Sequence, residues 1–228
     1  MAGICTIPFD AAPFRLSGTV YGTLLNHRSA LAELGEKASL PPYNAPPRAP
    51  VLYIKPRNTL AISGERIEIP AGMPDLEVGA CLGVVIGRTA CKVSVAAALD
   101  HVAGYVIVND VSVPHDTFYR PSIRLKARDG FCPLGPAVAR RSAIAEPDTL
   151  VVRTYVAGVL VQTYTTTDLV RPVAQLLSDV TEFMTLGPGD VLAVGAARPS
   201  PRVRAGEIVD IQIDGIGTLS NPFAAAAL

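Results

Sequence analysis

Beyond a proline-rich connector, PPYNAPPRAP at 41–50, the chain breaks into short apolar runs bounded by turn residues. Proline fixes φ and removes a backbone donor, so the connector itself is excluded from regular structure. VLYI, NTLAIS and RIEIP read as short strands, with a hairpin turn predicted at Gly64-Glu65. ACLGVVIG and GYVIVND read as buried strands on either side of a helix, VSVAAALDHV. TLVVRTYVAGVLVQTYTT predicts a hairpin turning at Ala157-Gly158, and DVLAVG, EIVDIQID and IGTLSNPF predict closing strands. Upstream, SGTVYGTLLN reads as a strand and HRSALAELGEKA as a short helix ending near Gly35. In DLVRPVAQLLSDVTEFMTL, the residues Val173, Leu176, Leu177, Val180, Phe183 and Met184 recur at helical spacing. Asp168 is its expected N-cap and Pro188-Gly189 the turn beyond it. The expected class is mixed α+β and strand-rich: an irregular lead-in at 1–17, one domain at 18–223 and a tail at 224–228.

Apolar residues make up 49% of the 228 and charged residues 18%, enough to bury a sizeable core. Lys+Arg and Asp+Glu balance at 20 each, with no basic tract, so a nucleic-acid partner is not expected. Cys5, Cys81, Cys91 and Cys132 lack the close spacing of a zinc site, and reduced thiols are expected. The N-terminal residues lack an apolar signal core, and no apolar run is long enough to span a bilayer. A soluble cytoplasmic protein without a membrane partner is expected. Neither G-x-G-x-x-G nor a P-loop is present.

Against this neutral background, NDVSVPHDTFYRPSIRLKARDGFCPLGP at 109–136 places Asp110 at a strand end and Arg120, Arg124, Lys126 and Arg128 just beyond. Such a loop is either a solvated connection or a holder of an anionic ligand. Asp110 reads as a loop cap, a general base or a metal ligand. The guanidinium forks of Arg120 and Arg124 suit carboxylates, although either can instead pair with Asp116 or Asp129. His115 stands within the loop, as a proton carrier near neutral pH or as a solvated side chain. Thr166 either bonds a substrate carboxylate or begins the helix. Cys81 and Cys132 read as small apolar strand residues.

Four ordered segments resemble the fumarylacetoacetate hydrolase family: TLLNHRSALAE, APVLYIKPRNTL, GYVIVNDVS with KARDGFCPLGP, and FMTLGPGDVLAVG with GIGTLSNPF. NHRS, IKPRN and FYRPSIRLKARDGFCPLG are closest to the branch that decarboxylates and isomerises intermediates of 4-hydroxyphenylacetate degradation. The resemblance implies a rolled β-sheet or barrel with peripheral helices. It implies a keto acid held on Mg²⁺ or Mn²⁺ by a Glu-x-Glu pair and a later Asp. Asp110 matches that Asp, Lys126 the family lysine and Asp129 its neighbour. Thr166 and Asp168 match a Thr-x-Asp pair, while Lys55 and Asn26 match residues flanking the pocket. The substrates implied are keto di- or tricarboxylates: 5-oxopent-3-ene-1,2,5-tricarboxylate for decarboxylation and 2-hydroxyhepta-2,4-diene-1,7-dioate for isomerisation, through a shared dienolate.

The departures are specific. Gly79 and Cys81 stand where the two glutamates belong, and Glu77 lies one strand step upstream. Ala30 replaces the family histidine, and Pro114-His115 replace an Arg-Asp pair. A divalent ion therefore has Asp110 and, if drawn in, Glu77; otherwise fixed positive charge on Lys126 and Arg120 carries the chemistry. The alternatives are a catalytically weak structural subunit paired with a metal-binding paralogue, and an acylpyruvate hydrolase, which Ala30 disfavours. Either a homo-oligomer or a hetero-oligomer with a second subunit is expected.

Overall fold

The computed structural model describes residues 6–8, 19–115 and 122–226. In chain order its elements are β1 (Thr6–Pro8), β2 (Val20–Leu24), α1 (Arg28–Leu34), β3 (Val51–Lys55), β4 (Leu60–Ile62), β5 (Ile67–Ile69), β6 (Leu76–Glu77), β7 (Ala80–Ile86), α2 (Val95–Ala98) and β8 (Val102–Asn109). The second half contributes α3 (Ile123–Lys126), β9 (Cys132–Arg140), β10 (Val151–Val156), β11 (Val159–Thr165), α4 (Val173–Phe183), β12 (Val191–Ala193), β13 (Arg202–Val203), β14 (Ile208–Ile213) and β15 (Gly217–Ala225).

An eight-stranded sheet runs β1-β9-β8-β7-β12-β2-β3, with β4 also on β9, and curls into a half-barrel. A five-stranded sheet, β11-β10-β14-β15-β5, faces it, and β6 pairs with β13. All seven residues of β7 are buried, so both faces of that strand are covered and its sequence shows no alternation. Val173, Leu176, Leu177 and Val180 bury one face of α4, as their spacing predicts, whereas Phe183 at its last turn is exposed and Met184 is the C-cap. The hairpin at Ala157-Gly158 forms with both residues at positive φ.

Four local expectations are corrected. Gly64 turns the chain at φ +89°, but β4 and β5 do not pair with each other. β4 runs parallel to β9 and β5 parallel to β15, so the turn passes the chain between sheets. Tertiary pairing overrides the local hairpin signal. Asp168 does not cap α4: Pro172 holds the N-cap position, and the Val173 N–H donates to Asp148 Oδ1 at 2.8 Å. Residues 6–8 of the expected lead-in pair with β9. The expected tail starts inside β15, where Ala224 and Ala225 pair with Glu68 and Ile69. Among the described residues, no helix is long and apolar enough to cross a membrane, and Cys81, Cys91 and Cys132 are free thiols.

Candidate active site

Strand β8 ends where the Asn109 side-chain oxygen accepts from the Gly79 N–H at 3.1 Å, and Asp110 follows as the chain leaves the sheet. Strand β3 delivers Tyr53 and Lys55 to one face, two residues apart. The short helix α3 ends on Lys126. These elements converge on the Asp110 carboxylate. Lys126 Nζ donates to Asp110 Oδ2 at 2.5 Å, the Tyr53 hydroxyl donates to the same oxygen at 2.5 Å, and Lys55 Nζ lies 2.7 Å from Oδ1. The Lys126 ammonium also stands 4.9 Å from the centre of the Tyr53 ring, in cation–π range. Gly22, opposite Tyr53 in the β2–β3 ladder, makes room for that ring: a β-carbon there would overlap it.

Burial alone would raise the Asp110 carboxyl, but the Lys126 and Lys55 ammoniums outweigh it and hold the group well below the usual carboxylate range. Burial and the neighbouring carboxylate push the Tyr53 phenol well up, so it remains a protonated donor. Burial pushes the Cys132 thiol up to about 12 and raises Cys81 as well, consistent with their reading as inert apolar residues. Burial and the neighbouring Lys126 lower the Lys55 ammonium from its ordinary value, while Asp110 opposes the shift. With both lysines protonated the centre carries one net positive charge, which suits an anionic ligand.

Asp110 and Tyr53 line a cleft with Leu24, Leu25, Ala30, Ser112 and Arg198. Glu77 also reaches it, but it is engaged. Its Oε2 accepts from Arg198 Nη1 at 2.9 Å and Ser112 Oγ at 3.3 Å, and Oε1 lies 3.3 Å from Arg202 Nη2. The set does not fit the divalent ion implied by the resemblance. Asp110 is occupied by two ammoniums, Glu77 by two guanidiniums, and positions 79 and 81 offer no hard oxygen. Among the described residues, no group of three His, Cys, Asp or Glu side chains could hold a metal.

The other expected site residues separate from this centre. Asn26 donates to the Arg171 and Val194 carbonyls at 3.1 and 2.9 Å and accepts from the Arg171 N–H at 3.0 Å, so it clamps backbone. Thr166 donates to the Pro147 carbonyl and accepts from the Leu150 N–H, both at 2.8 Å, again a backbone role. Lys55 is buried at 1% exposure, beneath the cleft instead of lining it. His115 is half-buried, with Nδ1 2.9 Å from the Val113 carbonyl, and does not line the cleft. Arg124 is exposed, its carbonyl accepting from Arg128 Nε at 3.0 Å, and Asp129 accepts from Asn58 Nδ2 at 2.7 Å. Arg120 and Asp116 lie outside the described residues. Sequence reasoning missed Tyr53 and Arg198. The period-two relation of Tyr53 to Lys55 was the available signal for the first; Arg198, in an irregular loop, carried none.

The family model for the fumarylacetoacetate (FAA) hydrolase C-terminal region matches residues 19–224. The chain is 42% identical over 210 residues to the 4-hydroxyphenylacetate degradation bifunctional isomerase/decarboxylase of Salmonella dublin, covering 92% of this chain and 48% of that protein. It therefore spans about half the length of that relative. The crystal structure of 5-carboxymethyl-2-hydroxymuconate delta-isomerase from Mycobacterium smegmatis matches with a TM-score of 0.80 at 30% identity, covering 93% of this chain and 81% of the other. Fumarylpyruvate hydrolase from Pseudomonas aeruginosa, solved with Mn²⁺ and pyruvate, shares the fold with a TM-score of 0.82 at 23% identity, covering 97% and 96%. With the ordered motifs, the curled sheet and the Asp110–Lys126 pair in place, the chain belongs to the fumarylacetoacetate hydrolase family.

Proposed function

We propose that this chain acts on a keto di- or tricarboxylate, decarboxylating 5-oxopent-3-ene-1,2,5-tricarboxylate and/or isomerising 2-hydroxyhepta-2,4-diene-1,7-dioate. The observation that carries the reading is the Asp110 carboxylate in the cleft wall with Lys126 and Lys55 buried against it. Losing CO₂ from the tricarboxylate leaves an electron pair conjugated with its ketone, and the resulting dienolate concentrates charge on the keto oxygen. A preorganised cation lowers the energy of that species. Lys126 supplies it on exchanging the Asp110 carboxylate for the keto oxygen, with Tyr53 as a neutral donor beside it. Moving the double bond in the diene then requires proton transfer at two carbons of the same dienolate. Asp110, which lines the cleft, is the candidate for handling those protons, and Arg120, from the sequence alone, for engaging a distal carboxylate. His115 and Arg124 stand away from the cleft.

Fixed charge takes the place of Mg²⁺ or Mn²⁺ in this reading. Purified protein incubated with the tricarboxylate should release CO₂ and shift the ultraviolet absorbance of the mixture. No CO₂ from the tricarboxylate and no spectral change with either the tricarboxylate or the heptadiene dioate, with or without a second subunit, would overturn the proposal.

A second reading has its own support. Gly79 and Cys81 in place of oxygen ligands, together with the double length of the related Salmonella protein, fit a structural subunit that completes a metal-binding paralogue. A neighbouring reading frame with Glu-x-Glu and the later Asp would favour it. Acylpyruvate hydrolysis is disfavoured because Ala30 lines the cleft where the family places a histidine.

A further inference from the structure

The two lysines on Asp110 are held in different ways. An ammonium has three N–H donors. Lys55 directs its own at three backbone carbonyls: Val111 at 2.9 Å, Lys126 at 2.8 Å and Phe131 at 2.9 Å. Its closeness to Asp110 Oδ1, 2.7 Å, is therefore a contact of charge between groups already fixed in place. Those carbonyls belong to the residue after Asp110, to Lys126 itself and to the residue before β9, so one side chain ties together the segments that carry the site. The Lys126 ammonium, by contrast, makes one hydrogen bond among the described residues, to Asp110 Oδ2, and otherwise faces the Tyr53 ring.

We infer that Lys55 is a fixed counter-ion whose function is to release Lys126. If Lys126 is to turn toward an anionic ligand, it must leave a buried carboxylate, and a buried carboxylate stripped of its partner is strongly unfavourable. With Lys55 locked on the other oxygen, Asp110 stays neutralised while Lys126 changes partner. Lys55 is thus a positioning residue, acting through Asp110 and Lys126 without touching the ligand. The inference rests on the reading that a keto acid binds beside Lys126.

The test is calorimetric binding of 2-oxoheptane-1,7-dioate, a saturated keto-acid analogue, which needs no turnover. Lys55→Met leaves Lys126 as the sole counter-ion of Asp110, and affinity should fall about tenfold or more. Adding Asp110→Asn to that variant removes what holds Lys126, and affinity should recover toward the wild-type value. A merely structural role predicts no such recovery. Lys55→Gln, whose amide still offers two donors to the carbonyls, serves if Lys55→Met does not fold. Wild-type affinity in Lys55→Met, or a double variant no better than the single one, overturns the inference while leaving the site reading intact. Failure of both Lys55 variants to fold overturns it in favour of a purely structural lysine. If the wild-type chain does not bind the analogue, the site reading fails and takes this inference with it.

Discussion

Gly79 and Asp110 lie opposite each other just beyond the paired ends of β7 and β8, and a β-carbon on Gly79 would stand 2.5 Å from the Asp110 carbonyl oxygen. The obstacle is backbone, which cannot swing aside. Restoring the family's first glutamate therefore requires the two strand ends to move apart. Gly79→Glu should lower thermal stability without creating a metal site, and the unmodified chain should show no one-to-one Mn²⁺ or Mg²⁺ binding by calorimetry. Stoichiometric, chelator-reversible Mn²⁺ binding by the unmodified chain would refute the account of its charge given above.

Lys126→Ala removes the cation placed to meet a developing enolate. Loss of one preorganised donor of this kind costs about 10²–10³ in turnover. The expectation is a fall of that order in kcat on the diene or tricarboxylate, with circular dichroism unchanged. A loss confined to KM would assign Lys126 to ground-state binding instead.

Asn26→Ala tests a residue whose position suggested ligand binding and whose contacts are with backbone. It removes three hydrogen bonds at a buried site and leaves carbonyls of Arg171 and Val194 without a donor. A cost of about 3 kcal/mol is expected, or a Tm lower by roughly 6–12 °C in a chain of this size. A variant melting within a degree or two of wild type would reopen a ligand role for this amide.

His27 caps α1 by accepting from the Ser29 N–H at 3.2 Å, a role only the neutral ring can fill, and burial holds its pKa below the ordinary 6.5 while Asp168 opposes the shift. Between the folded and unfolded values the unfolded chain binds more protons, so stability falls with falling pH across that window. The contribution is fully present above about 6.5 and erodes below it. Asp110, also depressed, adds its own loss only below the ordinary aspartate value of 3.8. Chemical denaturation from pH 7.5 to 4.5 should therefore show a decline that His27→Gln flattens. An unchanged slope in that variant would place the decline elsewhere.

The strand-rich class and most elements were legible because burial imposes short periods on the sequence: β7 reads as continuous apolar residues and α4 as a regular stripe. The partners of β4 and β5 were not, because a turn residue specifies where a chain bends and not which distant strand receives it. At the site, Asp110 and Lys126 could be singled out as charges adjoining an apolar run. Tyr53 was hidden in a strand where an aromatic residue needs no special explanation. The fates of Asn26, Thr166 and Lys55 were illegible for one reason: each is a polar side chain bonded to backbone carbonyls or amides far along the chain, and backbone partners leave no trace in residue identity.

Leu25, which lines the cleft beside the Asn26 clamp, holds φ at +58°, a conformation that costs a residue with a side chain of order 1–3 kcal/mol. Glycine adopts it freely. Leu25→Gly would relieve that strain but delete a buried side chain packed with Ala30, Leu34 and Ala38, a loss of about 2–5 kcal/mol that outweighs it. The cleft wall is thus a strained turn of backbone kept in place by the packing of its own side chain.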